Sequence, residues 1–385
     1  MVETHPEISL SRYAGQIRSG NVVAFPTETV YGLGADAWNA DAVAQIFALK
    51  GRPPDNPLIV HVSSLEMAAT LVTEISEDAR RLMDRFWPGP LALILPKRPE
   101  VLDIVTAGLP TVAIRMPDHP IPLRLISEAG PIAAPSANTS GRPSPTRGEH
   151  VRQDFGKDVP VIDGGSCQFG LESTVLDLSE RPYTVLRPGH ITQSELEQVL
   201  LQPVRMGGFT EQSGPESGIR GRVGSVRERD RSSSGDDNKA FGGHASAPRS
   251  PGMKYTHYAP DALVRWMHPE ELPEPAFPAE NTLYLLHQIR PQENKGENTS
   301  SVSTDRDIPV SGDSGSADFG SMQNGATPGV IIRYDGDYNE MARDLYDRFR
   351  MADLQGFEEV AIEPFSSYPE EAEALLNRIR KAIGE

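Results

Sequence analysis

Apolar residues come in short runs along this chain. Seven runs in its first half read as buried strands: Val22–Phe25, Leu58–Val62, Leu91–Leu95, Val112–Met116, Ile132–Ala134, Thr174–Leu178 and Tyr183–Leu186. Runs of this length suit strands better than helices. Between some of them the spacing turns helical. Asp41–Leu49 sets Val43, Ile46, Phe47 and Leu49 on one side, with Asn39 or Asp41 as the N-cap. Ser76–Phe86 is a second candidate, stopped by Trp87-Pro88-Gly89-Pro90, and Pro120–Ala129 a third, closed by Gly130. Strands outnumber helices, so strict alternation fails. Residues 8–205 are predicted to form one α/β unit, a twisted mixed sheet with helices.

The pattern then lapses. Residues 206–250 are Gly, Ser and mixed charge with almost no apolar content, too little to offset the entropy of ordering, which predicts a flexible linker. An Arg-rich piece, RGRVGSVRERDR, has the look of a nucleic-acid arm, but its interspersed acids favour a solvated linker. Residues 261–385 resume the alternation. Thr282–Leu286, Val330–Ile332 and Val360–Ile362 read as strands, and Glu371–Ile383 as a helix. Tyr338–Arg350 reads as another, with Met341, Leu345 and Phe349 on one face. This predicts a smaller C-terminal three-layer α/β (Rossmann-like) domain around a mainly parallel sheet, interrupted near 291–328 by a polar, disordered insertion.

Charge changes the picture of partners. The net charge is -17, with 18 basic against 24 acidic residues in 1–205 and 12 against 24 in 251–385. An acidic surface argues against stable, nonspecific nucleic-acid binding but leaves room for a local basic pocket. The one cysteine, Cys167, permits no intrachain disulfide, and no Cys/His cluster points to zinc. No signal-peptide pattern opens the chain and no run of about 18 apolar residues suggests a membrane span, so the expectation is a cytoplasmic protein.

The phosphate loop GxxxxGK[ST], GxGxxG after a strand, GxSxG and HExxH are all missing from the sequence. Polar clusters instead sit at strand ends, where open α/β sheets place ligands. Thr27 and Thr29 in Pro26–Gly34 have hydroxyls for a small polar ligand, or for a local turn, and Gly32 and Gly34 allow close backbone approach. Lys50 and Arg52 end a helix, where cations complement its dipole. The prolines at 53, 54 and 57 would also make that loop, with Asn56, a rigid ligand platform. His61 lies inside an apolar run, either as a hydrogen-bonded core residue or facing a ligand. Ala134–Thr146 gathers small donors just past a strand, and Arg115 and Arg187 near strand ends either snorkel to solvent or clamp anions.

In order along the chain, PTETVYGLG (26–34), KGRPPDNPL (50–58), WPGPLALIL (87–95), VAIRMPDHP (112–120), APSANTSGRPSPT (134–146), ESTVLDL (172–178) and LRPG (186–189) resemble the YrdC family of threonylcarbamoyl-AMP synthases. SPGMKYTHYAP (250–260) and LLNRIRKA (375–382) resemble the linker and C-terminal end of its long, two-domain form. The resemblance implies a threonine site of Thr29, His61, Arg115, Ala134 and Ser173. It implies an ATP site of Arg52, Asn56, Thr111, Ser136, Asn138, Ser144, Arg187 and His257, with Lys50 and Arg52 as the catalytic cations. Residues 250–260 would close over the pocket as the end of a linker spanning 206–260.

The reaction so implied joins L-threonine, bicarbonate or carbon dioxide, and ATP into threonylcarbamoyl-AMP and pyrophosphate. Magnesium would come with ATP, and no organic prosthetic group is needed. The product would pass to threonylcarbamoyl-transferase machinery acting on tRNA, without a membrane partner. An RNA-binding module of the same fold, without adenylation activity, is the alternative, and carbamoyl transfer a third reading.

Overall fold

A computed structural model describes residues 10–207, 258–271, 278–288 and 327–385. The first domain opens with helix α1 (Leu10–Arg18), then β1 (Val23–Phe25), β2 (Gly32–Asp36), α2 (Ala40–Lys50) and β3 (Ile59–His61). After α3 (Leu65–Ala69) and α4 (Glu77–Phe86) come β4 (Leu91–Pro96), α5 (Asp103–Thr106) and β5 (Thr111–Arg115). It continues through α6 (Pro120–Ala129), β6 (Ile132–Ala134), α7 (Gly148–Phe155), β7 (Thr174–Asp177), β8 (Thr184–Arg187), α8 (Gln193–Leu200) and β9 (Arg205–Met206).

The nine strands form one mixed sheet in the order β1-β2-β6-β3-β5-β4-β7-β8-β9. Pairs β3/β5, β4/β7 and β8/β9 run parallel and the others antiparallel. The seven predicted strands and three predicted helices are all present within a residue or two. Asn39 caps α2 by accepting from Ala42 N, Ser76 caps α4, and Gly51 ends α2 in the left-handed conformation at φ 61°. The stretch 32–34, read as a ligand loop, is part of strand β2. A Cβ at position 34 would stand 2.5 Å from Phe25 Cε1 and 2.6 Å from Ile132 Cγ2. The close approach that requires glycine there is core packing.

The second domain adds β10 (Leu263–Trp266), β11 (Thr282–Leu286), β12 (Val330–Arg333), α9 (Tyr338–Gln355), β13 (Glu359–Ile362) and α10 (Glu373–Ile383). Among the described residues its four strands are parallel, in the order β10-β13-β11-β12. Val264, Leu283, Leu285, Val360 and Ile362 meet both α9 and α10 in one apolar cluster, so both helices lie on one face of this sheet. The segments from which a third layer would come, 272–277 and 289–326, lie outside the described residues. So do most of the expected linker and insertion, 208–257 and 291–326.

The two domains are docked. Arg350 of α9 sends both Nη atoms to the Asp154 carboxylate at 2.9 Å, and its Nη2 also donates to Pro143 O at 2.6 Å. Arg142 reaches Asp353 at 3.1 Å and Asp261 at 3.2 Å, and Arg147 pairs with Asp347 at 3.0 Å. A Cβ at Gly170 would stand 2.2 Å from the Arg343 carbonyl oxygen, so helix and loop are in direct contact.

Candidate active site

Strand β3 is flanked by β5 and β6, and the register aligns the site. His61 stands opposite Arg115, and Ile59 opposite Ala134. With a side-chain period of two, Ile59, His61, Ala113, Arg115 and Ala134 share one face, while Val60, Ile114 and Ala133 point into the main core. Over the first face lies a pocket partly open to solvent.

Ten of the fourteen expected site residues line this cavity: Thr29, His61, Arg115, Ala134 and Ser173, with Lys50, Arg52, Ser136, Asn138 and Arg187. Segments more than a hundred residues apart thus converge. Of the other four, Asn56 is buried beside Arg52, whose Nη2 donates to its carbonyl at 3.0 Å. Neither polar atom of the Asn56 side chain has a hydrogen-bond partner among the described residues. Ser144 sits behind the wall, donating from Oγ to Glu172 at 2.5 Å. Thr111 starts the strand that Arg115 ends, roughly 13 Å further along the same face at the usual strand rise, and lies outside the cavity lining. His257 lies outside the described residues, as does 250–257 of the expected cover. The next residue, Tyr258, lines the cavity.

One end holds Thr29, His61 and Arg115. Arg115 pairs with the buried Glu28 at 2.6 Å, donates to Thr29 Oγ1 at 3.0 Å and to the Gly89 carbonyl at 3.2 Å. Thr29 is locked in turn by Thr27, whose Oγ1 is 2.8 Å away. The His61 ring meets Phe25 edge-on, with centroids 5.9 Å apart. Burial, reinforced by Arg115, pushes its pKa down to about 3, so the imidazole is neutral. Its Nδ1 is buried, and the backbone of Ile59 and Ile132 beside the ring acts in the opposite direction, favouring the charged form.

The other end is cationic. Lys50 Nζ donates to the carbonyls of Ser136 and Asn138 at 2.7 and 2.5 Å, joining the end of α2 to the loop after β6. That loop is braced by Ser136 Oγ donating to Asn138 Oδ1 at 2.5 Å, and by Asn138 Nδ2 donating to the Thr139 and Arg142 carbonyls. Burial, then the neighbouring Arg52, pushes the Lys50 pKa down to about 7. Arg187 donates to the Ser173 carbonyl and hydroxyl, both at 3.0 Å, so a residue expected at threonine and one expected at ATP act together.

Two contributors were given no role by the sequence reading. Glu28 and Glu172 lie inside the quoted strings PTETVYGLG and ESTVLDL but were assigned nothing, because a carboxylate beside an anion site makes sense only once its partner is known. Those partners, Arg115 and Arg378, are 87 and 206 residues away. Tyr258 was expected only as part of a cover. It stacks on Tyr346 with centroids 5.4 Å apart.

A family model described as Telomere recombination matches residues 15–189, and one described as Threonylcarbamoyl-AMP synthase, C-terminal domain, matches 191–384. The chain is similar to a threonylcarbamoyl-AMP synthase of Pyrococcus abyssi, with 48% identity over 253 residues, and this match covers 65% of each chain, just under two thirds of the relative's own length. It is also similar to the threonylcarbamoyl-AMP synthase of Schizosaccharomyces pombe, 36% identical over 389 residues, covering 94% of this chain and 84% of that one. Among solved structures it is similar to P. abyssi Sua5 complexed with L-threonine, with 34% identity and a TM-score of 0.71, over 99% of this chain and 96% of the other.

Proposed function

The chain belongs to the family of threonylcarbamoyl-AMP synthases, and from that premise we propose that it converts L-threonine, bicarbonate or carbon dioxide, and ATP into threonylcarbamoyl-AMP and pyrophosphate. The observation that carries this reading is the convergence of Lys50, Arg52 and Arg187 with Thr29, His61 and Arg115 on one cavity. A triphosphate needs such cations, and a small amino acid needs such a recess. The relative crystallised with L-threonine supports the second half.

The threonine amine nitrogen bonds to the carbon of carbon dioxide and releases a proton, giving a carbamate. Starting from bicarbonate, water leaves in place of the proton. A carbamate oxygen then bonds to the α-phosphorus of ATP while the bond from that phosphorus to the bridging oxygen breaks, and pyrophosphate leaves. Alignment and charge compensation are what such a transfer asks of a protein. Arg115, aimed by Glu28 and Thr29, takes the threonine carboxylate in its fork. His61, being neutral, orients threonine through a hydrogen bond and does not protonate its amine. Lys50, Arg52 and Arg187 offset the charge of phosphates and carbamate. The carbamate is itself a nucleophile, so no protein base is assigned. Tyr258 belongs to the segment, 250–260, that would shield the mixed anhydride from water.

Among the described residues no group of three or more His, Cys, Asp and Glu side chains is placed to hold a metal. Glu172, the carboxylate in the cavity wall, is held by Arg378, Ser144 and Tyr346. On this reading magnesium arrives on the triphosphate. Among the described residues no helix is long and apolar enough to cross a membrane. Transfer of the labile product to tRNA-modifying machinery in the cytoplasm completes the proposal.

Incubation with carbon-13 bicarbonate, threonine and ATP tests it. Mass spectrometry should find an adenylate carrying threonine and the label. An adenylate lacking the label would contradict the route through the carbamate.

Lys50 also makes a proton prediction. Phosphates favour its charged form, so ATP binding should raise its pKa from about 7 and take up a proton above that pH. The sign follows: this contribution to ATP affinity is complete below pH 7 and is lost as pH rises through the bound-state value. Calorimetry at pH 8 in buffers of different ionisation enthalpy should show about one more proton taken up by the native chain than by Lys50→Ala. Equal uptake in both would contradict it.

A further inference from the structure

Glu172 is an anion in the wall of a cavity built for anions. Its side chain is 7% exposed, and it shares that wall with Lys50, Arg52 and Arg187. A carboxylate left to itself there would repel phosphates and draw the nearby cations toward itself.

The second domain intervenes. Arg378, fully buried on α10, donates from Nε to Glu172 Oε2 at 2.8 Å and from Nη2 to the Pro188 carbonyl at 3.0 Å. Tyr346 of α9 donates its hydroxyl to the same carboxylate at 3.1 Å, and Ser144 donates to its other oxygen. Burial alone would raise the Glu172 pKa, but Arg378, Arg187 and Ser144 outweigh it and hold the group at about 2. The Arg378 guanidinium also lies over the Tyr258 ring, 5.4 Å from its centroid. Neither Lys50 nor Arg187 takes part in an ion pair among the described residues.

We propose that Arg378 is a positioning residue of the ATP site: by occupying Glu172 it leaves Arg187 and Lys50 to the phosphates, so the second domain sets ATP affinity through one buried ion pair. The inference rests on reading this cavity as the ATP site. Domain docking alone does not account for the pair. Arg350–Asp154 and Arg142–Asp353 hold the domains together away from the cavity wall, whereas Glu172 lines it.

Steady-state pyrophosphate release by the full chain, with ATP and threonine varied separately, tests this in Arg378→Gln and in the double variant Glu172→Gln/Arg378→Gln. Arg378→Gln should raise the KM for ATP about tenfold or more, with the threonine KM within about twofold. Removing the stranded charge in the double variant should bring the ATP KM back to within about threefold of the native value. A purely structural role predicts that both KM values move together in Arg378→Gln, with no separation of ATP from threonine. A double variant as impaired toward ATP as the single one overturns the proposal, as does a single variant with an unchanged ATP KM. If Arg378→Gln fails to fold, the double variant decides alone: an ATP KM near the native value supports the proposal, and one raised about tenfold overturns it. A native chain that releases no pyrophosphate with threonine and bicarbonate would instead sink the underlying reading.

Discussion

Replacing either Lys50 or Arg52 with alanine is expected to lower pyrophosphate release by roughly 10²–10³-fold while leaving the protein folded. Both cations line the cavity and are nearly buried, 4% and 8% exposed. The Lys50 ammonium rests on two carbonyl oxygens, and its depressed pKa shows that the fold disfavours its charged form. A buried cation that costs stability is retained for what it does to a ligand. Truncation therefore removes a desolvation cost along with two hydrogen bonds, and the net effect on folding should be small. A coupled pyrophosphate assay beside thermal unfolding checks both halves. Rates near normal in both variants would remove these residues from the mechanism.

Arg115→Met should behave in the opposite way and lower stability sharply. Its partner Glu28 is 2% exposed, and the pair is 2.6 Å apart. Removing one member of such a pair leaves a buried charge uncompensated, which typically costs about 3–5 kcal/mol. The threonine KM should also rise about 10- to 100-fold, because the fork for the carboxylate is gone. The double variant Glu28→Gln/Arg115→Met separates the two effects. Denaturant unfolding should recover most of the lost stability, while threonine titration should not recover. Recovery of both would mean that Arg115 serves the fold alone.

Much of this was legible in the sequence, for physical reasons that differ by element. Apolar strands such as Leu91–Pro96 announce themselves, because both faces are buried and every position is apolar. Strand β2 did not, since Gly-Leu-Gly-Ala-Asp carries almost no side-chain signal, and its burial comes from Phe25 and Ile132 packing onto its glycines. Helix α1 was missed although Leu10, Ala14 and Ile17 stand at helical spacing and are all buried. That periodicity was available. Strand β10, Leu263–Trp266, is four residues with a mixed burial pattern, and its place beside β13 is set by a partner almost a hundred residues on.

For the site, residue type and strand-end position marked the cations and hydroxyls as candidates, and the resemblance to a family selected among them. They could not find who holds them. Glu28, Glu172, Tyr346 and Arg378 act through pairings across the fold, and a buried pair leaves no local mark on either strand or helix. Thr111 stands four residues from Arg115 on the same face of β5, outside the cavity lining.

The most direct measurement is pyrophosphate release from ATP with threonine and bicarbonate withheld in turn. Release should need both, falling to background when either is missing. Turnover that continues undiminished without threonine would contradict the assignment of this cavity.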